Sequence, residues 1–244
     1  FLDMIVTNAR VPVVKIEHLT IWDSGDSFVG YGGDTKQLAI RLTLLDGSPI
    51  VNVVADGRAA ELLKITSDNP LAVSVTDSGT VTLLDNAAQV QITAVFKCPN
   101  GFFVATPSSV DTIYPNLEPL LGDVDVGARM GPQFPTMSEG HFQDIPIRIN
   151  SATAYLQTFQ IEVTLDASSF RVDACTQGPD WDGLWDCNIN DPVNKIKVVG
   201  NNLESVATGT GLHIATFRVA ALTTVSVKTV TFTGDIKVMI RSDS

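Results

Sequence analysis

The segment TSDNPLAVSV (residues 66–75) is followed by DSGTVT (residues 77–82) and by QITAVF (residues 91–96). These segments predict a turn, a short alternating strand, a tight Asp-Ser-Gly turn, a second strand, a bend and a third strand. That order is typical of the closing half of a small antiparallel β-sandwich. The three segments together therefore indicate an all-β fold.

The residues upstream continue the same pattern. Leu38, Ile40, Leu42 and Leu44 alternate with less apolar residues and are predicted to share one face of a strand. The Asp46-Gly47 pair that follows predicts a hairpin turn. About seven short strands are predicted over residues 11–98, a spacing typical of an Ig-like β-sandwich.

Residues 99–122 interrupt this pattern with Pro99, Pro107, Pro115 and Pro119, and we expect a linker there. Residues 123–244 resume it with longer loops, as about eight or nine strands of a second sandwich. Two alternating sets are predicted to point inward: Ile145, Ile147 and Ile149, and then Phe159, Ile161, Val163 and Leu165. The predicted fold class is all-β, with two antiparallel β-sandwiches in series.

The composition limits the possible functions. The chain has 244 residues, of which 44% are hydrophobic and 18% charged, enough apolar surface for packed cores. No segment approaches the roughly 20 apolar residues of a spanning helix, so no membrane span is predicted. The formal net charge of −11 disfavours nucleic acid as a partner. The acidity either favours solubility or forms an acidic recognition surface.

Cysteine spacing predicts one disulfide. Cys175 and Cys187 bracket a turn-rich segment, and we expect a bond between them that holds this excursion in shape. Cys98 has no partner nearby in the sequence. It is either a buried thiol or the site of a bond to another module.

The quoted segments resemble the bacterial Ig-like group 2 module, whose end typically reads S-x-N-P-x-V-A-x-V, G-x-V-T and A-x-I-T-A. In the second half, DIPIRI (residues 144–149), the run from Leu156 to Phe170 and GLHIATFRV (residues 211–219) resemble the strand patterns of cohesin-like sandwiches. The resemblance to the first family implies a spacer or adhesive unit of an extracellular protein.

An Ig-like module beside a cohesin-like one resembles transmembrane protein 132-like and algal or protist cell-surface proteins, although the order differs here. The opening FLDMIV (residues 1–6) is also similar to FTGDIKV (residues 232–238). We therefore expect residues 1–10 to hold a strand of a preceding module in a tandem repeat. Because the chain begins at Phe1 without an initiator Met, we expect a processed product or a piece of something longer.

Candidate ligand-binding residues lie between the two cysteines. Asp180, Asp182 and Asp186 are weak calcium candidates, because closely spaced carboxylates bind a hard cation, whereas an Asp-Gly turn explains the same residues. Trp181 and Trp185 are candidate partner-binding residues, as an anchor for another chain or a sugar ring. The alternative is that both fill the core.

No catalytic motif is recognisable, so we predict no enzyme, no catalytic residue and no cofactor apart from the calcium candidates. The hypothesis favoured by the sequence is a non-enzymatic, extracellular or cell-surface structural and adhesion segment. It would serve as a spacer and a protein–protein contact module of a larger cell-surface or filament-forming protein. Its partners would be neighbouring modules or copies of the same chain. The alternative is a carbohydrate-binding module, or accessory domains of a secreted glycoside hydrolase.

Overall fold

The computed structural model describes residues 12–97, 106–134, 136–189, 195–202, 207–222 and 233–242. Strands make up 58% of the described residues and helix 2%, which confirms the all-β prediction. The chain divides into two compact units. The first contains the described residues up to Phe28 and Gly32–Pro115, and the second contains Val29–Tyr31 and the described residues from Asn116 onward.

The described strands up to residue 117 form three antiparallel sheets. Their orders are β1-β4-β5, β3-β8-β7 and β2-β10-β9-β6. The elements are β1 (Val13–Leu19), β2 (Ser27–Gly30), β3 (Thr35–Gln37), β4 (Ala39–Leu44), β5 (Pro49–Ile50), α1 (Ala59–Leu62), β6 (Leu63–Ser67), β7 (Val73–Val75), β8 (Thr80–Leu83), β9 (Val90–Phe96) and β10 (Ser108–Leu117).

The predicted alternation from Leu38 to Leu44 contains a change of sheet. β3 pairs with β8, whereas β4 pairs with β1 and β5. Leu38 lies between β3 and β4, is buried, and donates its backbone N–H to the carbonyl of Gly79 at 2.9 Å. Ile40 and Leu42 are fully buried, as the alternation predicts. One apolar series therefore supplies the core from two sheets.

The linker predicted over residues 99–122 is wrong for Ser108–Leu117, which form β10 between β2 and β9. Pro115 had indicated a break in structure. Tyr114 and Glu118, however, donate their N–H groups to the β2 side, to the carbonyls of Asp26 and Gly30. Pairing with β9 ends at Ile113. Because Val90, opposite Ile113, is the first residue of β9, the Pro115 nitrogen needs no partner on that side.

The second unit is a sandwich of two antiparallel sheets. The four-stranded sheet has the order β11-β12-β18-β14, and the five-stranded sheet places β15 and β16 on one side of β13, with β17 and β19 also paired to β13. The strands are β11 (Val124–Val126), β12 (Phe142–Ile149), β13 (Ala152–Thr164), β14 (Phe170–Gln177), β15 (Leu184–Asn188), β16 (Lys195–Asn201), β17 (Ala207–Gly209), β18 (Leu212–Ala221) and β19 (Thr233–Ser242).

Both inward-pointing sets predicted for the second unit are confirmed. The isoleucines of β12 and the apolar residues of β13 lie in one buried cluster with Val198 of β16 and Phe217 of β18. The cluster therefore contains residues of both sheets, as a sandwich requires. β15 and β17 were not predicted. The predicted strand over residues 1–10 and the state of Cys98 lie outside the described residues.

Candidate protein-contact site

The predicted disulfide is confirmed: Cys175 and Cys187 are bonded. Cys175 lies on β14, at the edge of the four-stranded sheet, and Cys187 lies on β15, at the edge of the five-stranded sheet. Both half-buried residues pack against the core cluster. The bond therefore joins the two sheets along one side of the sandwich and fixes the position of β15.

Trp181 is a core residue, so its prediction as a partner-binding anchor is wrong. Its side chain is 2% exposed and packs edge-on against Phe159, with ring centroids 4.9 Å apart. The indole N–H donates to the carbonyl of Leu184 at 3.1 Å. Two glycines make room for the ring, since a Cβ at Gly200 would lie 2.9 Å, and one at Gly183 3.0 Å, from its atoms.

Trp185 is half-buried and also packs against the core cluster. Trp185 alternates with the exposed residues Leu184 and Asp186 along β15, and Cys187 lies on the same face as Trp185. The segment between the cysteines, interpreted from sequence as an excursion, thus contains a strand with an inward and an outward face. The exposed tryptophan pair that would favour a sugar ligand is absent.

The structure does not bring the calcium candidates together: in the described part of the chain no three His, Cys, Asp or Glu side chains are grouped to hold a metal ion. Asp180 accepts the backbone N–H of His213 at 2.9 Å. Asp182 accepts the side-chain amide of Asn202 at 2.9 Å. Asp186 is exposed on β15. Two of the three carboxylates therefore stabilise neighbouring loops and strands, as the turn interpretation implies.

The outer face of the five-stranded sheet presents a row of two aliphatic and two polar side chains that the sequence did not predict. Leu184 lies opposite Asn201, Asn201 opposite Thr158, and Thr158 opposite Ile240. Residues opposite each other in adjacent strands project from the same face. Leu184 is 78% exposed, and Ile240 is also exposed. The row therefore places an accessible aliphatic side chain near each edge of the sheet, with two small polar side chains between them.

A parallel row lies beside it, in which Asp186 is opposite Val199, Val199 opposite Gln160, and Gln160 opposite Val238. Val238 is exposed and Val199 is half-buried. The two rows together form a surface of aliphatic and uncharged polar side chains with one carboxylate, that of Asp186. We call these eight residues the contact face.

The same side of the sheet becomes charged beyond the contact face. Glu162 lies 3.5 Å from the Lys195 ammonium and 4.0 Å from that of Lys237. Lys237 also pairs with Asp235. These exposed pairs contribute little to stability. They do give the surface a fixed polarity, because one end is aliphatic and the other carries alternating charges.

The four-stranded sheet differs from the five-stranded sheet, because Asp125 and Gly127 contact Arg148 and cover part of its outer side. Arg148 is only 9% exposed, and its guanidinium donates to Asp125 at 2.9 Å and to the carbonyl of Gly127. Burial raises the pKa of the Asp125 carboxyl, and Arg148 opposes this shift. Burial, followed by the nearby Arg148 charge, lowers the pKa of His213. These chemically capable groups are therefore occupied in holding the sheet.

Burial had to be known before the contact face could be recognised. The sequence signal was the alternation of Leu184, Asp186 and Asn188 with Trp185 and Cys187. Five residues within a turn-rich segment were too few for that signal to predict a strand. Val238 and Ile240 are exposed because β19 pairs with β13 at one end of the five-stranded sheet. The sequence does not reveal this pairing.

Comparisons with known proteins find similarity only among solved structures. No protein family matches the chain, and no curated protein matches it. The chain is similar to a cohesin from Clostridium acetobutylicum (15% identity, TM-score 0.39), with 50% of this chain and 78% of that chain covered. A second similarity is to a type I cohesin–dockerin complex from Clostridium thermocellum (11% identity, TM-score 0.39, 48% and 82% covered). A third is to a non-cellulosomal cohesin from Archaeoglobus fulgidus (13% identity, TM-score 0.33, 41% and 69% covered).

The described residues contain no helix long and apolar enough to cross a membrane.

Proposed function

We propose that the second unit is a non-enzymatic protein-binding module and that the contact face receives the partner. The observation that carries this proposal is the row from Leu184 to Ile240 on the outer face of the five-stranded sheet. A rigid surface with accessible aliphatic side chains, small polar residues between them and charges at one end has the anatomy of a protein interface. The proposed partner is a protein that covers this face.

The rigidity of the contact face supports the proposal. β13 pairs with β16 on one side and with β19 on the other. β15 is held twice, by its pairing with β16 and by the Cys175–Cys187 bond. A surface that is fixed before binding loses little conformational entropy when a partner docks.

The disulfide also supports an extracellular or cell-surface location, because such bonds form and persist in oxidising compartments. The first unit, which the sequence likens to an Ig-like module, would act there as a spacer. Together the units would form a structural and adhesion segment. Neighbouring modules or copies of the same chain remain the proposed partners.

The test combines capture with mapping. The full chain and its Leu184→Asp variant are immobilised and exposed to the extracellular protein fraction of the organism that makes the chain. Leu121→Asp, which alters an exposed leucine outside the contact face, is the matched control. A captured protein is then purified, and the hydrogen exchange of the chain is measured with and without it.

We expect the parent chain and the Leu121→Asp control to capture the same protein, and Leu184→Asp to lose at least tenfold in affinity. That loss corresponds to about 1.4 kcal/mol. New protection should fall on peptides of β13, β15, β16 and β19. Equal capture by Leu184→Asp, or protection confined to the four-stranded sheet, would overturn the proposed site.

A further inference from the structure

Leu71 is the most exposed of the large hydrophobic residues described, with 84% of its surface accessible. It lies in the first unit, between β6 and β7, in the turn that follows Pro70. Single exposed leucines are common and require no explanation. Leu71 differs in its surroundings, because its turn is closed by backbone hydrogen bonds, and others tie Leu84 and Asp85 to the same turn.

The turn is fixed by its own hydrogen bonds. The carbonyl of Asn69 accepts the N–H groups of Ala72 and Val73 at 3.1 and 3.0 Å. Asn69 donates its own N–H to the hydroxyl of Ser67 at 3.2 Å. Pro70 restricts the backbone between them. Leu71 is therefore held away from the body of the unit by a backbone with little freedom to move.

Asp68 ties the turn to β9 as well. It donates its N–H to the carbonyl of Gln91 at 3.1 Å, and its carboxylate accepts the N–H of Gln91 at 2.8 Å. This carboxylate is held at the surface, three residues before Leu71 in the chain. Its position is set by the sheet and not by a flexible side chain alone.

Leu84 and Asp85 reach the same place from β8. Both donate their backbone N–H groups to the carbonyl of Ala72, at 2.8 and 3.1 Å. Leu84 is 44% exposed, and Asp85 is exposed. We call Asp68, Leu71, Leu84 and Asp85 the Leu71 surface. It combines two exposed leucines with two carboxylates on a well-ordered backbone.

The charge of this region is uniform in sign. Residues 65–96 contain no lysine or arginine, and their charged side chains are Asp68, Asp77 and Asp85. Asp77 is paired with Lys97 at 2.6 Å. The two aspartates beside the leucines therefore lie in a stretch without cations, which makes the Leu71 surface complementary to a basic ligand.

We propose that the Leu71 surface binds a basic amphipathic segment of a partner protein. Apolar side chains of the segment would pack on Leu71 and Leu84, and its lysine or arginine side chains would pair with Asp68 and Asp85. The small apolar area indicates a weak contact. The contact should also be sensitive to salt, because salt screens the ion pairs with Asp68 and Asp85. This site lies in the first unit, so it goes beyond the contact face and does not depend on it.

The test uses a defined probe, a twelve-residue peptide of alternating lysine and leucine, titrated into the isotopically labelled full chain and followed by NMR. Two peptides serve as probe controls: one with serine for leucine and one with glutamate for lysine. The variants are Leu71→Ala, Leu84→Ala and Asp68→Asn. Leu45→Ala is the matched control, because Leu45 is also an exposed leucine of the first unit but lies in the turn after β4.

We expect shift changes centred on residues 67–72 and 83–86, which weaken as salt is raised from 50 to 300 mM. Leu71→Ala should weaken binding about fivefold or more, as for a residue that anchors an interface. Leu45→Ala should bind like the parent. Shifts centred elsewhere, equal binding of the glutamate peptide, or unchanged binding by Leu71→Ala would each overturn the proposal. Binding of phosphatidylcholine vesicles instead of the lysine–leucine peptide would indicate a membrane ligand and also overturn it.

Discussion

Trp181 and Phe159 pack edge-on in the core of the second unit, with an interplanar angle of 75°. The two residues come from different parts of the chain, Trp181 from the segment between the cysteines and Phe159 from the central strand β13. Their contact anchors that segment on the sheet. The segment between the two cysteines is therefore held by core packing as well as by the disulfide.

Gly200 allows this contact, and its replacement tests it. In Gly200→Ala, the new Cβ would lie 2.3 Å from Phe159 and 2.9 Å from Trp181. We expect the second unit to lose about 1–3 kcal/mol, as is usual for overpacking. Chemical denaturation monitored by tryptophan fluorescence measures this loss. Gly211→Ala is the control, because its nearest neighbour would be 3.9 Å away; equal stabilities of the two variants would contradict the packing described.

For the buried pair of Asp125 and Arg148, we expect the removal of one charge to cost more stability than the removal of both. Asp125→Asn leaves a buried guanidinium without its counter-charge and should destabilise the second unit by about 3–5 kcal/mol. The double variant Asp125→Leu/Arg148→Met should recover most of this loss, because no buried charge is left. Unfolding free energies from urea denaturation test both statements. A double variant less stable than Asp125→Asn would contradict this expectation, because it would show that the ion pair itself makes a net contribution to stability.

Acid should weaken the first unit through His18. Burial lowers the pKa of this histidine from its usual 6.5, while Asp111 opposes the shift. The unfolded chain therefore binds the proton more readily than the folded one. Stability is complete above pH 6.5 and falls as the pH decreases toward the folded pKa, below which the loss is constant.

His18→Gln should reduce the pH dependence of unfolding between pH 7 and pH 5, whereas replacing the exposed His141 by Gln should not. Thermal melts of the three proteins at both pH values provide the measurement. A slope that persists unchanged in His18→Gln would assign the acid sensitivity to other groups.

The disulfide should stabilise the second unit mainly by restricting its unfolded state. Cys175 and Cys187 are 12 residues apart, and closing a loop of about this length is worth about 3 kcal/mol. Cys175→Ser/Cys187→Ser should lower the unfolding free energy by that amount. Intact mass after alkylation, with and without reductant, should show two cysteines that react only after reduction. Three cysteines alkylated before reduction would contradict the bond.

Alternation carried most of the prediction from sequence. Ile145, Ile147 and Ile149 each occupy the inward position that a period of two assigns to them. The prediction failed where the reason lies in three dimensions. Pro115 indicated a break because the sequence does not reveal that the pairing of β10 with β9 ends at Ile113, and Trp181 looked exposed because the space above Gly200 cannot be read from the chain.

The β15 strand has a further use in protein engineering. Its odd-numbered residues, Trp185 and Cys187, are fixed by the core and the disulfide, whereas positions 184, 186 and 188 point outward. Randomising these three positions would change the recognition surface while leaving the anchoring residues untouched. A strand secured at both its sheet and its covalent bond would thus make the second unit a natural scaffold for selecting new binding proteins.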